Sequence, residues 1–168
     1  SRSSASSDVY KRQARPLVEK YFGTIARGPV NDPAQAEVPT LAEPVRKTFK
    51  DQVAATNVTH YWAVEGLTGK DRIALDVGAS ILGGLASSRL DNVLVRDEQL
   101  AVSVSASNSA FQRVGFLSVE ATAKDGVDLA VLEKRMDEVV ANLIAEGPTA
   151  DEVRRAVTSN LARTIRGL

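Results

Sequence analysis

The sequence predicts an α+β domain: an antiparallel sheet with helices packed on one face. Three observations predict it. Residues 58–64 and 113–123 alternate apolar and polar side chains with a period of two, as half-buried strands do. Residues 71–82, 127–145 and 149–168 place apolar side chains at helical spacing instead. The elements run strand, strand, helix, helix, strand, strand, helix, helix, an order that suits one antiparallel layer covered by helices.

In chain order, residues 1–13 read as a tail. Ser1 to Ser7 is nearly all serine and lacks the apolar stretch of a secretory signal. The run Val9-Tyr-Lys-Arg-Gln13 resembles translated adapter sequence, so this tail is read as artefactual or disordered. Residues 14–23 read as a short helix with Leu17, Val18 and Phe22 on one side and Gly23 as its stop. Residues 24–44 carry Pro29, Pro33, Pro39 and Pro44 with little periodicity, the composition of a linker. Residues 14–44 are therefore assigned to a helix and proline-rich connection, and 45–168 to the domain proper.

Val45, Phe49 and Val53 alternate weakly, which predicts a first strand. Val58, His60, Trp62 and Val64 against Thr59, Tyr61 and Ala63 predict a second. Ile73, Ala74, Val77 and Ile81 predict a helix over 71–82, ended by Gly83-Gly84, since glycine accepts left-handed backbone. Ser87 or Ser88 can cap a helix carrying Leu90, Val93 and Leu94. Strands over 100–107 and 113–123 join across Asn108-Ser109. The second presents Leu117, Val119, Ala121 and Ala123 to one side and Ser118, Glu120 and Thr122 to the other. Leu129, Leu132, Met136, Val139, Val140 and Leu143 stripe a helix that Gly147-Pro148 breaks. Thr149 and Glu152 then form a capping-box pattern, opening a helix with Val153, Ala156, Val157, Leu161 and Ile165 on one face. That apolar face still repeats at the end of the sequence, which reads as a truncated domain.

Composition narrows the function classes. The 168 residues (17.9 kDa) suit one domain or a part of a larger one. Lys plus Arg and Asp plus Glu are 21 each, so the net charge is zero, and the pI is about 6.6. A nucleic-acid binder needs a basic face, so no nucleic-acid partner is expected. No apolar run reaches the roughly 20 residues of a membrane span. With no Cys, disulfides, thiolate metal sites and cysteine nucleophiles are excluded. A single His, His60, excludes any site built from two imidazoles, and with it the commonest catalytic zinc arrangements.

The remaining candidates carry no chemistry by pattern. His60 sits on a strand with no carboxylate at useful sequence spacing and reads as structural. Asp97-Glu98 and Asp151-Glu152 are adjacent carboxylates, which diverge by about 100° on a helix and do not face each other. Asp151 and Glu152 suit the positive end of a helix dipole. Arg154, Arg155, Arg163 and Arg166 read as a solvated stripe. Ser87-Ser88 lacks the glycine frame of a nucleophile elbow, and Gly83-Gly84 lacks the Gly-Lys-Ser/Thr of a phosphate loop. The expected catalytic, cofactor-binding and metal residues are none.

One stretch does carry a family signature. Ile81-Leu-Gly-Gly-Leu-Ala-Ser-Ser-Arg-Leu90, followed by Leu94-Val-Arg-Asp-Glu-Gln-Leu-Ala-Val-Ser-Val104, resembles the pitrilysin/insulinase metallopeptidases, which include the mitochondrial processing peptidases. Leu17-Val-Glu-Lys-Tyr-Phe-Gly23 and Glu146-Gly-Pro-Thr-Ala-Asp-Glu152 agree with it in order and spacing, so the similarity covers about residues 14–168. The resemblance implies a repeated α+β domain, several copies of which enclose an unfolded peptide. The family's active domain carries H-x-x-E-H and a distal Glu around Zn²⁺. None of that motif occurs here, so the zinc would be bound outside this segment.

The departures from the pattern are informative. The family's C-terminal half uses an Arg and a Tyr in this region to hold substrate. The Tyr position here is Val102, and the Arg position is Val95, with Arg96 one residue on. Valine cannot donate to a carbonyl or an oxyanion. Gly83-Gly84 and Arg89 read instead as packing and a surface ion pair.

The resemblance therefore implies a non-catalytic domain of a zinc metalloendopeptidase, partnered by a catalytic domain and by extended peptide. The alternatives are a scaffold subunit from an inactive family member and a free-standing binding module. The absence of Cys fits a bacterial periplasm or cytoplasm.

Overall fold

A computed structural model describes residues 3–30 and 37–167. The chain divides into two compact units, residues 1–34 and 35–168. In the first, helix α1 runs Ser3–Phe22. It begins at Ser3, not near residue 14, and carries Pro16 inside it. The serine run and the proline hide this helix from a propensity reading, because both disfavour helix interiors. Gly23 donates to the Glu19 carbonyl at 2.9 Å where the helix ends, as expected.

In the second unit the sheet has three strands. β1 is Asn57–Glu65, β2 is Ala101–Ala110 and β3 is Val114–Ala123, in the order β1-β3-β2, all antiparallel. The strand expected over 45–53 does not form; 37–56 runs as irregular, largely exposed chain. Its alternation was sparse, and Val45, Phe49 and Val53 are all exposed, so no buried face fixes a register there. Pro33 falls outside the described residues.

Pairing places His60 opposite Val119, Trp62 opposite Leu117 and Val58 opposite Ala121. Across the other ladder Ala106 faces Val119 and Val104 faces Ala121. All these side chains lie on one side of the sheet, where Val119 and Ala121 are fully buried. That side meets the helices. α2 is Arg72–Ala79, α3 is Leu129–Glu146 and α4 is Ala150–Arg166. Two π-helical segments, Ser80–Gly84 and Asp91–Asp97, complete the layer. Ala79, Leu82, Leu90, Leu94, Leu132, Met136 and Val139 close the core against the sheet. The opposite side carries Thr59, Tyr61, Ser103, Ser105, Ser107, Phe116 and Ser118, and none of this unit's own helices covers it among the described residues. The α+β class and the one-sided helix layer are as the pattern predicts.

The Gly83-Gly84 stop has a different cause from the one expected. Neither glycine has a positive φ. Instead a Cβ on Gly83 would sit 2.6 Å from the Ala106 nitrogen and 2.6 Å from the Ser105 carbonyl carbon. The π turn lies directly against the backbone of β2, and only a residue without a side chain fits. Farther on, Ser88 Oγ accepts from the Asp91 amide at 3.3 Å, so Ser88 rather than Ser87 caps the next helical segment. Thr149 and Glu152 form both halves of the capping box, and Gly147 closes α3 with φ 73°.

Candidate functional site

Three side-chain clusters stand out. The first ties the α3–α4 corner to the segment after the double glycine. Arg89 donates through Nε to Glu152 Oε1 at 2.7 Å and through Nη2 to Oε2 at 2.9 Å, the bidentate fork of a guanidinium on a carboxylate. The same Nη2 reaches the Gly147 carbonyl at 3.0 Å. Both side chains are more than four-fifths covered, 19% and 15% exposed, so this ion pair is no surface pair. The Arg89 hydrogen bonds, with help from Thr149, hold the Glu152 carboxyl down at a pKa of about 2.

The second cluster lies between β1 and α3. His60 Nε2 is 3.2 Å from Glu133 Oε1, and His60 Nδ1 is 3.1 Å from Asp137 Oδ1. Arg46, from the irregular segment, donates to both oxygens of Glu133 at 2.7 and 2.6 Å. The Arg46 guanidinium, with a smaller contribution from His60, holds the Glu133 carboxyl below the usual carboxylate range. Trp62 packs edge-on to the imidazole at 5.7 Å. An open groove of about 720 Å³ runs beside the cluster, lined by Arg46, Glu133, Lys134 and Asp137 among others. The expectation of no useful carboxylates around His60 is thus corrected. Glu133 is 73 positions away in sequence, and only the docking of α3 on β1 brings it near. Even so, no group of three or more His, Cys, Asp or Glu among the described residues could hold a metal ion.

The third cluster is the arginine stripe of α4. Arg154, Arg155, Arg163 and Arg166 line a shallow groove of about 500 Å³. Arg154 and Arg155 pair with Asp151, and Arg163 donates to Asn160. Elsewhere Glu98 accepts from Arg135 at 2.6 Å, a partner that adjacency to Asp97 could not reveal. Val102 is exposed on β2, and Val95 packs against the core. Arg96 is held by Asp91 at 2.7 Å and by the Ala86 carbonyl. Nothing in these three clusters pairs a nucleophile with a base or assembles an oxyanion hole.

The sequence matches the family model described as the peptidase M16 inactive domain over residues 4–160. The chain belongs to the peptidase M16 inactive-domain family. The resemblance carried by Ile81–Leu90 leads to this same peptidase family. No curated protein matches this chain. Among solved structures it is similar to a protease from Helicobacter pylori, with 22% identity and a TM-score of 0.70 over 92% of this chain. It is also similar to a peptidase M16 inactive domain from Pseudomonas fluorescens, with 20% identity and a TM-score of 0.59 over 65% of this chain. A chain of Complex III2 from Candida albicans shares 17% identity and a TM-score of 0.56 over 68% of this chain. At such identities the likeness shows the fold alone. The M16 domain spans 38%, 26% and 30% of the length of these three chains respectively. None of its helices is long and apolar enough to cross a membrane, among the described residues.

Proposed function

We propose that this M16 domain is the non-catalytic wall of a zinc metalloendopeptidase and helps to orient extended peptide at a zinc centre built by another domain. The observation that carries the reading is the family match over 157 of 168 residues (4–160), in a chain with one histidine and no H-x-x-E-H. The sheet supports it physically. β1 and β2 are its outer strands, and an extended peptide can add to such an edge through main-chain hydrogen bonds. The uncovered side offers small hydroxyl side chains on β2. At one end sits an aromatic cluster, with Phe116 centred 5.5 Å from Tyr61 and 5.9 Å from Phe111. In this reading residues 45–168 form the wall and 14–44 the connection to the rest of the polypeptide. The zinc stays outside the segment, with the catalytic domain and the peptide as its partners.

A second reading follows from the fold shared with a chain of Complex III2: a scaffold subunit in an assembly without peptidase activity. One experiment separates the two. The parent protein is loaded with an unfolded peptide carrying photo-crosslinkers. The wall reading expects cleavage of the peptide and crosslinks to the sheet face around Tyr61, Ser107 and Phe116. Cleavage without such crosslinks removes the orienting role. A parent that neither binds zinc nor cleaves supports the scaffold.

A further inference from the structure

The arginine face of α4 is not neutralised in the way a solvated face is. On α3 the exposed charges interleave in sign: Lys134 and Arg135 both lie beside Glu138, the pairing that i, i+3 and i, i+4 spacing gives on a helix. After Glu152, α4 carries Arg154, Arg155, Arg163 and Arg166 and no Asp or Glu. Glu152 itself is committed to Arg89. One carboxylate, Asp151, serves both Arg154 and Arg155. Arg163 reaches only the neutral amide oxygen of Asn160, at 3.2 Å, and Arg166 has no carboxylate partner among the described residues. The helix dipole favours Arg163 and Arg166 near the last turn but opposes Arg154 and Arg155 near the first, so it does not account for the whole stripe.

All four guanidiniums line one groove, and between them lie only Thr158, Ser159 and Ala162. Small side chains there let a polypeptide backbone come close to α4 while its side chains reach the cations at either end. Arg154 and Arg166 stand twelve positions apart, about 18 Å along the helix axis. An extended chain covers that distance in about five or six residues. We propose that this groove docks an extended acidic segment of a partner polypeptide, about that long, with a carboxylate near each end. Arginine suits the task, because its planar fork takes both oxygens of a carboxylate. Exposed pairs are individually weak, so the docking is moderate in affinity and sensitive to salt. It stands apart from the wall reading, since α4 belongs to the helix layer and the open side of the sheet faces the other way.

Fluorescence anisotropy of a labelled hexaglutamate peptide, titrated with the 168-residue chain, tests the groove. Affinity should fall about tenfold as salt rises from about 50 to about 300 mM. Arg163→Gln with Arg166→Gln should weaken binding about tenfold, and Lys134→Gln, on the surface of α3, should leave it unchanged. Asp151→Asn removes the one carboxylate that competes for these arginines and should tighten binding about threefold, a gain that a misfolded variant cannot imitate. Absence of peptide binding, an equal loss from Lys134→Gln, or an Asp151→Asn variant that binds no tighter would overturn the proposal. Binding of inorganic tripolyphosphate without binding of the peptide would assign the groove to small anions and overturn it equally.

Discussion

Two glycines side by side show how much one hydrogen atom can decide. Gly83 lies against the backbone of β2, and a methyl group there meets main-chain atoms at 2.6 Å; Gly84 has nothing nearer than 3.5 Å. Gly83→Ala should therefore cost about 3 kcal/mol, because backbone cannot step aside as a side chain can, while Gly84→Ala stays within about 0.5 kcal/mol. Paired urea titrations check the contrast, and equal effects would mean that the close approach to Ala106 is not what selects glycine. Arg89 and Glu152 carry the second prediction at this scale. The Glu152 carboxyl is held at about 2 in the folded chain against an ordinary 4.5. A depressed carboxylate contributes stability that is complete above its unfolded value and lost as pH falls through its folded value. The loss should thus fall between about pH 4.5 and pH 2. Glu152→Gln should lower stability at neutral pH by about 2 kcal/mol and flatten the acid limb of the stability profile across that window. An unchanged acid limb would contradict the role given to this pair. Arg89 was legible as an ion-pair former from its place after the double glycine, but its depth was not. The partner enters across 63 positions of sequence, and no local pattern reports that.

Helices and strands whose side chains share one core were the readable elements. Leu132, Met136 and Val139 of α3 and Val119, Ala121 and Ala123 of β3 are buried as their periods require. Leu132→Ala should cost about 3 kcal/mol in thermal or urea unfolding, by lost transfer energy and an unfilled cavity. What the period could not supply was partnership. The stripe of α4 is as regular as that of α3, yet only Ala156 is fully buried; Val157, Leu161 and Ile165 are 48%, 58% and 62% exposed. Periodicity says that a face is apolar, not that this core covers it. For the same reason Val45, Phe49 and Val53 suggested a strand that has no neighbour to pair with. In α4 a paired change, Leu161→Ser with Ile165→Ser, should leave stability within about 1 kcal/mol while reducing self-association of the chain in sedimentation velocity. If the double variant unfolds instead, the stripe is packed within the domain after all.

At the scale of the whole molecule the chain is an M16 inactive domain, matched by the family model over residues 4–160. Its net charge is zero, its single histidine is held by two carboxylates, and its arginines are largely engaged with carboxylates and carbonyls of the same chain. The fold was legible from period and order, and the family from a short run around the double glycine; the His60 cluster was not, because packing alone creates it. The proposed wall reading adds that the zinc is bound by another domain of the parent protein, and among the described residues no group of three or more His, Cys, Asp or Glu could hold a metal ion. Metal analysis after equilibration with zinc and dialysis tests this most directly, on the 168-residue chain and on its parent protein. The parent should retain zinc and the chain alone none; a chain that keeps one zinc ion per molecule would contradict the account.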